Sequence, residues 1–219
     1  MKQLLFFLLL IPISYSWRGA DSGGTRPTGA VIGSWRGADG EGSLPIGAAI
    51  PKPDTRIKDV SGKDLSLQEV KQEKGLLVMF SCNTCPYVIM NQSRTKEICG
   101  YAGNRRIGVI LLNANEGDRE GSNSLGEMQA YARAQAYQWY YAVDHNSVLA
   151  DAFGASRTPE CYLFDKNGKL VYHGAIDDSP GDPVQVKKHH LQNAIDEMVS
   201  GKEVSVKETR SVGCSIRRV

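Results

Sequence analysis

Leu76-Leu77-Val78-Met79-Phe80-Ser81-Cys82-Asn83-Thr84-Cys85-Pro86 is the stretch on which the reading of this chain turns. Its first five residues form a continuous apolar run, the pattern of a strand buried on both faces. The run ends directly in a C-x-x-C pair followed by proline. Proline is tolerated in the first turn of a helix, where its missing N–H would have had no partner. A helix is therefore predicted to follow, reaching about Ile98. A dithiol at the junction of a buried strand and a helix is a specific redox signal in a β-α-β setting.

Working outward, Thr55 to Val60 reads as a first strand, closed by the turn Ser61-Gly62-Lys63-Asp64. Ser66 is placed to cap a short helix over Leu67 to Gln72. Downstream, Ile107 to Asn113 is a second buried strand, and Ser124 to Tyr137 is Ala-rich and helical. Trp139 to Val143 is a short strand, and Val148 to Phe153 a short helix stopped by Gly154. Cys161 to Phe164 and Leu170 to His173 flank Asn167-Gly168, a hairpin signal. Val184 to Val199 carries an apolar stripe at helical spacing, with Gly201 as its stop. Alternating strands and helices followed by a hairpin and a last helix predict an α/β protein: a mixed central sheet with helices on both faces.

The ends of the chain read differently. Met1-Lys2 is a short positive start, Leu4 to Ile13 an apolar run too short to span a bilayer, and Ser14 to Ser16 offers small residues before a cut. Residues 1–16 are thus expected to be a signal peptide cleaved after Ser16, giving an exported protein of the periplasm or cell envelope. Nothing else approaches the ~20 consecutive apolar residues of a spanning helix, so no stable membrane insertion is expected after cleavage. Residues 16–33 and 34–51 repeat in tandem, Ser16-Trp17-Arg18-Gly19-Ala20-Asp21 recurring as Ser34-Trp35-Arg36-Gly37-Ala38-Asp39. The repeat is rich in Gly, Ser and Pro, so 17–50 is expected to be a flexible linker. The domain is expected over 51–201, and 202–219 is a tail without a clear period. Lys plus Arg is 26 against 24 for Asp plus Glu, a net charge of +2 that gives no nucleic-acid groove.

The chemistry centres on the dithiol. A helix N-terminus carries unpaired N–H groups and partial positive charge, which stabilise a thiolate. That logic makes Cys82, at the strand end, the expected attacking thiol. Cys85, one turn inward, is the expected resolving thiol of higher pKa. A zinc site would need a second pair at suitable spacing. Cys99 and Cys161 are single, and His189-His190 point two ways on a helix, so no metal or other cofactor is expected. A purely structural bridge is disfavoured because so short a ring contributes little stability. Cys99 and Cys161 are expected in the core, and His145 and His173 in loop or strand-surface roles. Tyr87 and Arg94 are expected to shape a partner surface. Cys214, in the tail, could dock, form a mixed disulfide or be free.

Four segments together resemble the peroxiredoxin-like redoxins of the AhpC/TSA and thioredoxin superfamily. They are Phe80 to Val88, Thr158-Pro159-Glu160-Cys161-Tyr162-Leu163-Phe164-Asp165, Gly168 to Gly174 with Ile176-Asp177-Asp178, and Gly213-Cys214-Ser215-Ile216. The resemblance covers about 45–219. It implies a thioredoxin fold, with Cys82 attacking, Cys85 resolving and Pro159 as a cis proline facing them. Thr158 and Glu160 flank that proline and are the expected substrate-binding residues. Two features depart from thioredoxin proper: Leu76 stands where a buried carboxylate is usual, and Ser81 where a tryptophan is usual. Glu160 is the candidate substitute proton acceptor. The peroxide-cradling P-x-x-x-T/S-x-x-C signature fits neither cysteine, since counting back meets Met79 and Gly75 from Cys82, and Cys82 and Val78 from Cys85. The expected function is thiol–disulfide exchange with protein or small-molecule disulfides and thiols, served by an electron donor the sequence does not name. The alternatives are an antioxidant thiol peroxidase and a non-catalytic binding domain.

Overall fold

The computed structural model describes residues 42–219. The expected signal peptide and most of the repeat, including Trp17 and Trp35, lie outside the described residues. Strand β1 (Ile57–Asp59) pairs with β2 (Asp64–Leu65), and α1 (Leu67–Val70) follows. α1 opens on a full capping box: Ser66 accepts from the Glu69 N–H and Glu69 reaches back to the Ser66 N–H. β3 (Gly75–Phe80) is buried at every residue, as the apolar run required. It leads through the dithiol loop to α2 (Pro86–Met90) and α3 (Gln92–Gly103). Then come β4 (Ile107–Asn113), α4 (Leu125–Gln135), β5 (Tyr140–Val143) and α5 (Val148–Phe153). The last elements are β6 (Arg157–Thr158), β7 (Glu160–Phe164), β8 (Leu170–Gly174), α6 (His190–Val199) and β9 (Cys214–Ser215).

Seven strands form one mixed sheet in the order β2-β1-β5-β4-β3-β7-β8. β3, β4 and β5 run parallel, while β7 returns antiparallel to β3 and carries the β8 hairpin. Side chains alternate across this sheet and make two cores. Leu76, Val78 and Phe80 face α1 and α5 with Phe153, Tyr162 and Phe164, whose rings meet edge to face. Leu77 and Met79 face α3, α4 and α6 with Met128, Tyr141 and Leu191. This is a thioredoxin-like fold, with helices on both faces of the sheet as the sequence predicted.

Three expectations need correction. The single helix predicted after the dithiol is two, broken at Asn91, whose side-chain amide donates to the carbonyls of Tyr87 and Pro180. The predicted helix over Val184 to Val199 is regular only from His190, after a 3-10 turn at Pro183–Gln185. The end of the expected linker belongs to the domain. Ile50 is buried, Leu44 and Ile46 pack on the core beside α5 and β7, and Ala49 bridges to Lys169. Apolar residues at 44, 46 and 50 hold this segment down despite its glycine content. The tail also docks: Val204 and Ile216 are buried, and β9 pairs with β6 in a separate two-stranded ribbon.

Candidate active site

The dithiol loop leaves the end of β3, in the middle of the sheet, and is fastened by a buried amide and phenol network. The Asn83 side-chain amide donates to the Ser122 carbonyl at 2.8 Å, and its backbone N–H to Asn123 Oδ1 at 3.3 Å. Tyr141 donates its hydroxyl to Asn83 Oδ1 at 2.7 Å. Asn113 Nδ2, at the end of β4, donates to both Asn123 Oδ1 and the Tyr141 oxygen. Asn113, Asn123 and Tyr141 drew no attention in the sequence. Their only sequence signal is polar residues where buried strands end. The Asn83 amide makes these bonds where a shorter or apolar residue could not.

Both sulfurs are covered: Cys82 is 2% exposed and Cys85 3%. They pack together with Val88, and Tyr87 and Cys214 lie against them. Helix α2 begins at Pro86, so Cys85, not Cys82, is the N-cap residue. The backbone N–H of Cys85 donates to Cys82 Sγ at 3.3 Å. Thr158 serves both sulfurs. Its hydroxyl lies 3.7 Å from Cys82 Sγ, and its carbonyl oxygen accepts from the Cys85 thiol at 3.1 Å. The next peptide bond, Thr158–Pro159, is cis.

The two thiols titrate as a pair. Coupling between the sulfurs lowers one thiol and raises the other. The hydrogen bonds set the order: the Cys85 thiol keeps its proton on the Thr158 carbonyl, while Cys82 Sγ receives the Cys85 N–H at the start of α2. Cys99 and Cys161 are buried in the core between the sheet and α3, and burial raises both thiols.

Glu160 is buried but serves the backbone. Its Oε2 accepts from the N–H groups of Ser156 and Arg157, both at 2.9 Å, and its Oε1 meets His173 Nε2 at 2.7 Å. Neither thiol is among its hydrogen-bond partners. Glu160 therefore fixes the turn that presents Thr158 and Pro159, in place of the proton-accepting and substrate-binding roles expected for it. His173, expected at the surface, is part of this clamp, stacked on Tyr162 and bonded to Ser43 Oγ at 2.9 Å. Arg94 also turns inward, its guanidinium on Asp177 and the Ser179 carbonyl, tying α3 to the loop after β8. The dithiol, Thr158 and Pro159 are brought together; Glu160 and Arg94 stand behind them as supports.

Among the described residues no group of three or more His, Cys, Asp and Glu side chains could hold a metal ion. No helix among them is long and apolar enough to cross a membrane. The family model described as the AhpC/TSA family matches residues 46–173. No curated protein matches the chain. A hypothetical protein from Sinorhizobium meliloti is similar at 30% identity and TM-score 0.74, over 81% of this chain and 96% of that one. An uncharacterized conserved protein from Geobacillus kaustophilus is similar at 29% identity and TM-score 0.74, over 80% and 93%. The thioredoxin domain of a thiol-disulfide oxidoreductase from Bacteroides vulgatus shares the fold at 16% identity and TM-score 0.55, over 72% and 99%.

Proposed function

Since this chain belongs to the AhpC/TSA family, we propose that it is an exported thiol–disulfide oxidoreductase whose working groups are Cys82 and Cys85. One observation carries the reading. Two thiols three residues apart share a buried site against Thr158, with Cys82 Sγ accepting the Cys85 N–H and the Cys85 thiol donating to the Thr158 carbonyl.

In the reductive direction the Cys82 thiolate attacks a substrate disulfide. One substrate sulfur bonds to Cys82 and the other leaves as a thiolate. Cys85, as its proton passes to the departing sulfur, attacks Cys82 Sγ and releases the second substrate thiol. The products are a reduced substrate and a Cys82–Cys85 disulfide, which an external dithiol donor must reduce. Oxidation of a substrate dithiol is the same sequence run backwards. These are the roles expected from sequence, and the directions of the two hydrogen bonds support them. Thr158 would place the incoming disulfide, its hydroxyl and carbonyl already lying against both sulfurs.

The test is reduction of a disulfide substrate by the full chain with a chemical dithiol as donor. Cys82→Ser should abolish it, while Cys99→Ser, in the core, should not. Equal rates for Cys82→Ser and the parent would overturn the proposal. A working pair should have a reduction potential above about −300 mV, whereas a structural bridge lies below it. Peroxide consumption with the same donor should be the slower reaction, since the peroxide-cradling signature is missing. N-terminal sequencing of the mature protein beginning at Trp17 is the result expected for export; a soluble cytoplasmic product beginning at Met1 would exclude it.

A further inference from the structure

The C-terminal tail returns to the dithiol and crosses it. Cys214 pairs with Thr158 across the β6–β9 ribbon, and Arg157 with Ser215. Gly213 fits so closely that a Cβ there would lie 2.1 Å from the Thr158 carbonyl oxygen, so only glycine allows this approach. Beyond the ribbon the tail is fastened at successive residues. Ile216 is buried and its N–H bonds the Ser156 carbonyl. The Arg217 N–H bonds Asn115 Oδ1, and its carbonyl accepts from Gly117. Arg218 reaches Asp151 and the Ala155 carbonyl. Such a train of contacts sets Cys214 in one place, against the cluster of Cys82, Cys85 and Val88. Unlike those two cysteines it is partly exposed.

We propose that Cys214 is a third redox thiol, an alternative disulfide partner for Cys85 that can take the place of Cys82. The proposal rests on the dithiol reading above. Cys214 is pushed up to about 11, by burial first and then by the Cys85 sulfur beside it. At neutral pH it therefore waits as a thiol beside Cys85. Once Cys82–Cys85 is oxidised, Cys214 sulfur attacks Cys85 Sγ. The Cys82–Cys85 bond breaks, the Cys85–Cys214 bond forms, and the proton from Cys214 passes to the departing Cys82 sulfur. One disulfide replaces another with no net change in electrons. Because Cys214 is the most exposed of the three, its disulfide is the one a reductant meets first.

Two variants of the full chain separate this proposal from the reading beneath it. Each is mildly oxidised, and its disulfides are mapped on unreduced peptides by mass spectrometry. Cys214→Ser should still form Cys82–Cys85, and losing that bond would count against the dithiol reading alone. Cys82→Ser should form an intramolecular Cys85–Cys214 disulfide. If Cys82→Ser leaves Cys214 free on oxidation, Cys214 is not a redox partner. Circular dichroism of each variant checks that the fold is retained.

Discussion

Gly213 lies directly against the Thr158 carbonyl, the same oxygen that accepts the Cys85 thiol hydrogen. One backbone oxygen thus joins the cover to the site beneath it. Gly213→Ala must move one of them. Lifting the tail is the easier response, because β7 and the Glu160 clamp hold Thr158. Alkylation of Cys82 and Cys85 in the native protein should speed up, and stability should fall by about 1–3 kcal/mol. Gly126→Ala in α4, where a Cβ meets nothing within 4 Å, is the control and should not loosen the site. Unchanged alkylation in Gly213→Ala would show that the tail does not govern access.

The two thiols are coupled, so one titrates below the ordinary thiol range and the other above it. A folded pKa below the unfolded one stabilises the protein above the unfolded thiol range, and that contribution is lost as pH falls through the lowered value. Thiolate ultraviolet absorbance should show a transition below the ordinary thiol range that disappears in Cys82→Ser. Cys85→Ala, which removes the partner thiol, should move that midpoint up. A midpoint unmoved by Cys85→Ala would mean that the two thiols are not coupled.

Tyr141→Phe removes the hydroxyl that donates to Asn83 Oδ1 and accepts from Asn113. Two buried polar groups lose a partner, at a cost of about 1–3 kcal/mol in urea unfolding. Because Asn83 lies between the two cysteines, the same change should lower the rate of disulfide reduction. Full activity together with reduced stability would confine the network to folding.

Asp144 is buried and accepts from the N–H groups of Leu149 and Ala150 at the start of α5. Burial raises its carboxyl to about 6. A raised carboxyl contributes stability at low pH, and the contribution is lost as pH rises through that value. Urea midpoints should therefore fall between about pH 4 and 6 in the parent. That slope should flatten in Asp144→Asn, which cannot titrate. An unchanged slope would assign the effect to another group.

The legible parts of this molecule were those governed by local pattern. The all-apolar run at Leu76–Phe80 is a strand buried on both faces, Ser66 caps as its neighbours required, and Asn167-Gly168 turns the β7–β8 hairpin. The dithiol and Thr158-Pro159 meet because strands β3 and β7 are neighbours, with Phe80 opposite Glu160. What escaped was set by contacts distant in sequence. Glu160 looked like a catalytic carboxylate until its partners proved to be backbone N–H groups, His173 and the Tyr162 hydroxyl. The tail showed no period because two residues of β9 and a few single anchors hold it, too short a pattern to read. The helix after the dithiol was expected in one piece, and its break at Asn91 is set by bonds from that side chain to the Tyr87 and Pro180 carbonyls.

The contrast between β3 and β9 has a consequence for how time is divided in this protein. β3 is flanked by strands on both sides and buried along its whole length, so its amides can exchange only when the domain unfolds. β9 is a two-residue strand with a single partner, and its opening leaves the sheet intact. The cover can thus open and close many times within the lifetime of one folded molecule. The thiols stand between a strand that opens only with the domain and one that can open alone, so a reagent samples them at the frequency of a local fluctuation. In deuterium exchange this would put two neighbouring rungs, Phe80 opposite Glu160 and Thr158 opposite Cys214, on clocks that run orders of magnitude apart.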